Sequence, residues 1–286
     1  MSSNTKITVY EATTREKIGF YQGWVTMFQN IVNFREMIYV LFKRDFFAIY
    51  KKSFLGMSWI FLSPIFGILS WVFINATGIL QPGDVGMPYP AYVLLSTSIW
   101  GLFMGFYTAA QGTLTAGSGI INQVNYPHEI LLVKQIAQHL ANSIITLSMN
   151  VVVLLLFGIV PSWKIIFLPI LALPLLFLGA GIGLVVSVFS VVAPEFQKAM
   201  DLLIGLLIWV TPVIYSPKFG NPIIQSIIRW NPLTYLIGGV RDVIIKGTLT
   251  NPSEFLISTL FTFVVFLISW RIFYVTEDKV VEKILS

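Results

Sequence analysis

Six apolar runs of this chain carry no acidic residue: Leu55–Gly78, Ala91–Ala110, Leu140–Val160, Ile165–Val192, Leu202–Tyr215 and Phe255–Tyr274. Only the last contains a base, Arg271, placed near its end where a long side chain can snorkel to an interface. A helix needs about 20 residues, at 1.5 Å each, to cross a hydrocarbon core about 30 Å thick. The runs therefore predict an all-α integral membrane protein with six transmembrane helices. Composition agrees, since 11% of the 286 residues are charged against about 25% in soluble domains. The absence of cysteine removes any disulfide framework, thiolate metal site or thiol redox centre. Near the start, Lys6, Glu11, Arg15, Glu16 and Lys17 interrupt any core that a secretory signal would need, so the N-terminus is expected to be mature and cytoplasmic.

Between the last two runs lie two half-length apolar pieces, Pro222–Trp230 and Leu233–Ile245, joined at Asn231 and Pro232. Each is too short to span. They are expected to form a re-entrant helical pair that dips into one membrane face, with Asn231, Pro232, Arg241 and Asp242 as its polar residues. Irregular backbone at membrane depth survives only against protein or a water-filled cavity, as in a pore or its gate.

Orientation follows from the bases. With both termini in the cytoplasm, 13 of the 18 Lys and Arg fall on the inner side and 5 (Lys164, Lys218, Arg229, Arg241, Lys246) on the outer, as the positive-inside rule requires. The re-entrant pair then faces outward. Residues 34–53, ahead of the first run, are expected to form an amphipathic interfacial helix bearing Arg35, Lys43, Arg44, Lys51 and Lys52. Met37, Ile38, Leu41, Phe42, Phe46 and Ile49 share the opposite side, but Asp45 falls among them, a pattern that fits a helix clamped against protein as well as lipid. A basic anchor that only fixes topology explains the same charges. The expected organisation is thus a cytoplasmic extension at 1–33, the interfacial helix at 34–53, a six-span domain at 54–275 and a cytoplasmic tail at 276–286.

Most enzymatic chemistry is excluded by inspection. The stretch Gly112 to Gly119 has the glycine spacing of a phosphate loop, but Ser118 stands where lysine must meet the terminal phosphates. His128 and His139 lack companions at metal-ligand spacing, so no metal is expected. The uncharged runs offer no acids for ion coupling. Aromatic and hydroxyl faces do occur. Trp59, Ser63, Phe66, Ser70 and Phe73 recur at helical spacing in the first run, and Trp100, Phe103 and Tyr107 in the second. Such faces suit a sliding sugar chain, because flat rings meet the C–H faces of pyranoses and hydroxyls exchange hydrogen bonds; packing against neighbouring helices or lipid explains them equally. Gly179 and Gly183 are in the register of a close helix contact. Between the second and third runs, Tyr126, Pro127, His128 and Glu129 read as a turn into a short helix whose exposed end can dock a partner. A plain solvated connection is the alternative.

In order along the chain, these motifs resemble the membrane subunits of ABC-2 type polysaccharide exporters, which export O-antigen, teichoic acid or capsule polymers. Lys43-Arg44-Asp45-Phe46 with Tyr50-Lys51 and Leu55-Gly56-x-x-Trp59 looks like that family's interfacial helix entering its first span. Tyr126-Pro127-His128-Glu129-Ile130 resembles the F-P-R-E-I of its coupling loop, and Thr211–Tyr215 with Asn231–Thr234 matches its Pro-Val-Ile-Tyr and Asn-Pro-Leu-Thr segments. The resemblance covers about Phe34 to Tyr274. It implies a non-enzymatic permease that pairs as a homodimer in the bacterial cytoplasmic membrane and moves a lipid-linked polysaccharide, most simply O-antigen. Two separate nucleotide-binding subunits, carrying ATP and magnesium, would dock on Tyr126 to Glu129 and on the N-terminal region; no cofactor in this chain and no nucleic acid is implied. Two departures stand out: His128 replaces the usual arginine, and Val192-Ala-Pro-Glu195-Phe lacks the Arg-Asp pair common after the fourth span. Competing readings are an ABC-2 permease for a drug or lipid, and a membrane-bound glycosyl- or acyltransferase. The latter needs convergent acids or a histidine at the membrane surface, which this sequence does not offer.

Overall fold

The computed structural model describes residues 19–51, 58–78, 83–114, 127–217 and 221–285, and among these every regular element is helical. In chain order they are α1 (Phe20–Asn33), α2 (Arg35–Lys51), α3 (Ser58–Thr77), α4 (Tyr89–Gln111), α5 (Glu129–Leu156), a 3-10 turn (Trp163–Phe167), α6 (Leu168–Leu171), α7 (Leu173–Val192), α8 (Pro194–Val210), α9 (Pro222–Trp230), α10 (Pro232–Lys246) and α11 (Pro252–Leu285). Proline opens many of them: Pro90, Pro169, Pro174, Pro194, Pro222 and Pro232 all lie in first turns. There the missing N–H has no partner to lose and the fixed φ suits the helix. Gly158 and Gly247, at φ 74 and 72, end α5 and α10 in the left-handed conformation that glycine adopts without strain.

Among the described residues, four segments are long and apolar enough to cross a membrane: Tyr89–Gln111, Glu129–Leu156, Trp163–Val192 and Pro252–Thr276. The core centres on α4, which packs against α5 and α7, while α7 also packs against α11. Tyr92, Phe103, Phe106 and Tyr107 of α4 are fully enclosed there. The glycine register on α7 sets the α4 contact. A Cβ on Gly183 would collide with the Tyr107 carbonyl oxygen, and one on Gly179 would lie 2.6 Å from that of Phe103, so two backbones meet with no side chain between them.

Several boundaries differ from the sequence reading. The third run is part of a single helix from Glu129, with no separate short helix before it. The fourth is broken at Pro169 and Pro174 into a 3-10 turn, α6 and α7, because proline cannot supply the interior hydrogen bond. The fifth is displaced. Its helix begins at Pro194, carries Glu195, Lys198 and Asp201 in its first half, and ends at Val210, leaving Thr211 to Ser216 non-helical. The supposed extension at 1–33 contains α1, whose buried side holds Gly23 and Met27. Of the first run, residues 55–57 lie outside the described part.

Candidate functional site

Polar groups gather at the two ends of the bundle. At one end α2 crosses the start of α5. Ile38 and Leu41 of α2 pack on Ile130 and Leu131 of α5, and Lys134 Nζ donates to Asp45 Oδ2 at 2.9 Å. Asp45 also accepts from Arg44 Nε at 2.6 Å. The sequence misfit of an acid on the apolar side of α2 is thereby explained, since that side faces α5. Lys134, read only as a topology marker, is buried, 89 residues away in sequence. Burial pushes the Asp45 carboxyl up, but hydrogen bonds and charge from Arg44 and Lys134 outweigh it and hold the group below the usual aspartate range. A depressed folded value means that the ion pair stabilises fully above the unfolded aspartate pKa, about 3.9, and is lost as pH falls through the folded one. Lys134→Met should therefore lower thermal stability by about 1–2 kcal/mol at neutral pH, with the gap to wild type closing on acidification. A gap that stays constant down to acid pH would contradict this role.

The expected docking knob is corrected here. His128 is 7% exposed and Glu129 is fully buried, because α2 lies across the first turn of α5, so neither forms an exposed helix end. Pro127 is half-buried just before them, and Tyr126 lies outside the described residues. Of the interfacial bases, Arg35, Lys43 and Arg44 are exposed; the Lys51 side chain and Lys52 lie outside the described part. Beside α2, α1 covers α11 around residues 270–274: Trp24 meets Trp270 edge-on at 4.9 Å, and Met27 is buried with Phe273 and Tyr274. Arg271, expected to snorkel, has its guanidinium 6.0 Å from the ring of Phe20 and 5.8 Å from that of Tyr274, beneath α1.

The opposite end is built around Arg241. Its guanidinium sits 4.4 Å over the Tyr92 ring, and Nη1 donates to Ser96 Oγ at 3.0 Å and to the Pro212 carbonyl at 3.3 Å. The Tyr92 hydroxyl donates to the carbonyls of Pro212 and Tyr215, and that of Tyr89 to Ile214. These bonds satisfy the carbonyls of the non-helical turn after α8, which the interior of a membrane protein must do. Asn231 joins α9 and α10 by two roles: Oδ1 accepts from the Leu233 N–H, and Nδ2 donates to the Val210 carbonyl and Thr211 Oγ1. Pro232 opens α10, and Asp242 pairs with Lys246 at 3.1 Å and accepts from Thr250.

The suggested sugar-lining faces part company. Phe66 and Phe73 of α3 are exposed, at 57% and 64%, and Ser70 closes a hydrogen bond on the Phe66 carbonyl. The side chains of Trp59 and Ser63 lie outside the described part. Trp100, Phe103 and Tyr107 are buried at 8%, 0% and 0%, packed within the subunit, so the packing explanation holds for all three. The Tyr107 hydroxyl donates to Asp201 Oδ1 at 2.8 Å, and Gln111 Nε2 donates to the same oxygen at 2.7 Å. Asp201, one residue ahead of the fifth run, was not singled out from the sequence.

Long apolar helices around a core that is all-helical among the described residues define a multi-span α-helical membrane protein. Residues 36–245 match the family of ABC-2 type transporters, and the chain belongs to that family. It is 24% identical over 194 residues to the O-antigen export system permease protein RfbA of Myxococcus xanthus, covering 67% of this chain and 72% of the relative. A Klebsiella pneumoniae protein of the same description is 22% identical over 227 residues, 79% and 86% of the two chains. The polysialic acid transport protein KpsM of Escherichia coli is 21% identical over 252 residues, 83% and 92%.

Proposed function

We propose that this chain is the permease subunit of an ATP-driven exporter that moves a lipid-linked polysaccharide, O-antigen first among the candidates, across the bacterial cytoplasmic membrane. The observation that carries the reading is the family match over most of the chain together with relatives whose descriptions name polysaccharide export. Capsule, as in the KpsM relative, is the second reading. In this proposal residues 34–53 form the interfacial element, 54–275 the six-span domain with α9 and α10 as its outward re-entrant pair, and both termini are cytoplasmic. Two features support the sidedness. The Ser162 N–H donates to the Ile244 carbonyl, bringing the loop after α5 against the last turn of α10, both assigned outside, while α1 and α2 share the other end with the start of α5 and the far part of α11.

Two copies would pair through apolar surface that the single subunit leaves open. Phe66, Leu69 and Phe73 on α3, and Leu202, Leu206 and Trp209 on α8, are exposed by half or more. ATP and magnesium belong to a separate nucleotide-binding subunit, which would dock on the α2–α5 corner and the adjoining segment around Tyr126. In that role the buried pair His128 and Glu129 fixes the shape of the corner rather than touching the partner.

The test is reconstitution. Alone, the purified chain should neither bind nor hydrolyse ATP; co-expressed with the ATPase encoded beside it, it should yield a complex of two permease and two ATPase subunits whose hydrolysis responds to lipid-linked glycan. Export by this chain alone, driven by a pH gradient without ATP, would overturn the proposal. Orientation is checked in intact cells with an impermeant thiol reagent, which should label Asp84→Cys and Asn251→Cys but not Glu195→Cys.

A further inference from the structure

A cavity of about 480 Å³ opens at the Arg241 end of the bundle, within the range of about 300–1,000 Å³ typical of small-molecule sites. Five segments build its wall: the loop before α4, α4 itself, the turn after α8, α10, and the loop before α11. We infer that this cavity is a binding site for one neutral pyranose unit of the glycan chain, on the outward face of the subunit. The inference rests on the polysaccharide reading above and adds to it a discrete sugar site outside the membrane-spanning path.

Arg241 supplies the first reason. It is 8% exposed, yet both of its protein hydrogen bonds leave from Nη1. Arginine carries five N–H donors in a rigid fork. Among the described residues Nε and Nη2 make no hydrogen bond to protein, and the guanidinium is held in place by the Tyr92 ring. Donors fixed in position at the wall of a cavity are what a ligand's oxygens require. Gly238 keeps that wall low, because a Cβ there would meet only Arg241 Nη2, at 3.9 Å.

Charge decides the class of ligand. Among the described residues of the lining, two bases, Arg241 and Lys246, are matched by two acids, Asp84 and Asp242, and Lys246 is paired with Asp242 at 3.1 Å. A balanced lining gives a net anion or cation no advantage, whereas each sugar hydroxyl both donates and accepts and so uses donors and carboxylate oxygens together. Thr250 and Asn251 add neutral partners at the mouth. Tyr235 supplies a flat surface. Its hydroxyl donates to the Arg229 carbonyl at 2.9 Å, which fixes the ring for stacking on the C–H face of a pyranose.

The chain has no cysteine, so the cavity mouth can carry a single reporter, Asn251→Cys. Its rate of reaction with a maleimide would be followed on the full-length protein in detergent while methyl glycosides of glucose, galactose, mannose, rhamnose and N-acetylglucosamine are added in turn. A bound sugar slows labelling by the factor 1 + [L]/Kd, about threefold at twice Kd. At least one glycoside should protect, and protection should disappear in both Tyr235→Leu and Gly238→Val, the latter placing methyl groups against Arg241 Nη2, where a sugar oxygen would take its hydrogen bond. Sodium glucuronate and inorganic phosphate should protect less than the best neutral sugar. Protection by no glycoside, protection that survives both substitutions, or stronger protection by either anion would overturn the inference. The assay uses neither ATPase nor transport, so loss of protection and failure of the export reading register separately.

Discussion

Gly183→Val should prevent the bundle from closing, and we expect little folded protein to be recovered from membranes. The added Cβ has nowhere to go: it meets the Tyr107 carbonyl oxygen, the Ala110 Cβ at 2.8 Å and the Gln111 backbone nitrogen at 2.9 Å. Two of these three are helix backbone, which cannot rotate aside, so relief requires moving α4 from α7 along its whole packed length. Overpacking of this kind costs about 1–3 kcal/mol where side chains can adjust and more where they cannot. Gly105→Ala provides the contrast. Its Cβ would collide with the His139 ring, which is a side chain, so His139→Ala in the same protein should restore most of the loss. No such partner exists for Gly183. Thermal unfolding of the detergent-purified variants measures both, and a Gly183→Val protein as stable as wild type would show that α4 and α7 are not held by backbone contact.

The difference between these two glycines marks what a single sequence discloses. Gly179 and Gly183 were legible because their spacing of four places both on one helix face, and close approach is what small residues at that spacing permit. Gly101 and Gly105 show the same spacing, yet a Cβ on Gly101 would meet nothing within 4 Å and one on Gly105 would meet the His139 ring, 34 positions away, so spacing alone does not separate backbone contact from side-chain contact. The same limit governs the polar contacts. Asn231 and the prolines around it identified two short helices and their junction, because caps and first-turn prolines are local. The Lys134–Asp45 bridge and the Arg241–Tyr92 stack are pairings between helices, and periodicity tells which face is turned inward but not what it meets. It did mislead for Trp100, Phe103 and Tyr107: an aromatic face on an apolar helix serves a sugar path or a packed core equally, and neighbouring helices decide. Helix α1 escaped notice for another reason. Its 14 residues are too few to span, and its inward side is marked by a glycine and a methionine rather than by an apolar run.

Asp201→Ala should loosen α8 from α4, although Asp201 itself is exposed. Two donors converge on its Oδ1, the Tyr107 hydroxyl at 2.8 Å and Gln111 Nε2 at 2.7 Å, and both belong to side chains 6% exposed or less. Truncation leaves the Tyr107 O–H without an acceptor, while Gln111 keeps only its 3.2 Å bond to the Tyr107 oxygen. A buried donor left unmade costs about 1–3 kcal/mol. The expected loss is about 1–2 kcal/mol, because Asp201 is itself exposed and water can reach the vacated place, with α8 freed from α4 near its charged first half. Asp201→Asn keeps a carbonyl oxygen at the same place and removes the charge, so it should recover most of that stability. If Asn proves as destabilising as Ala, the negative charge rather than the acceptor holds α8 to α4. If neither substitution matters, the triad is an accessory of the bundle, and α8 is held by its apolar packing, chiefly on α7.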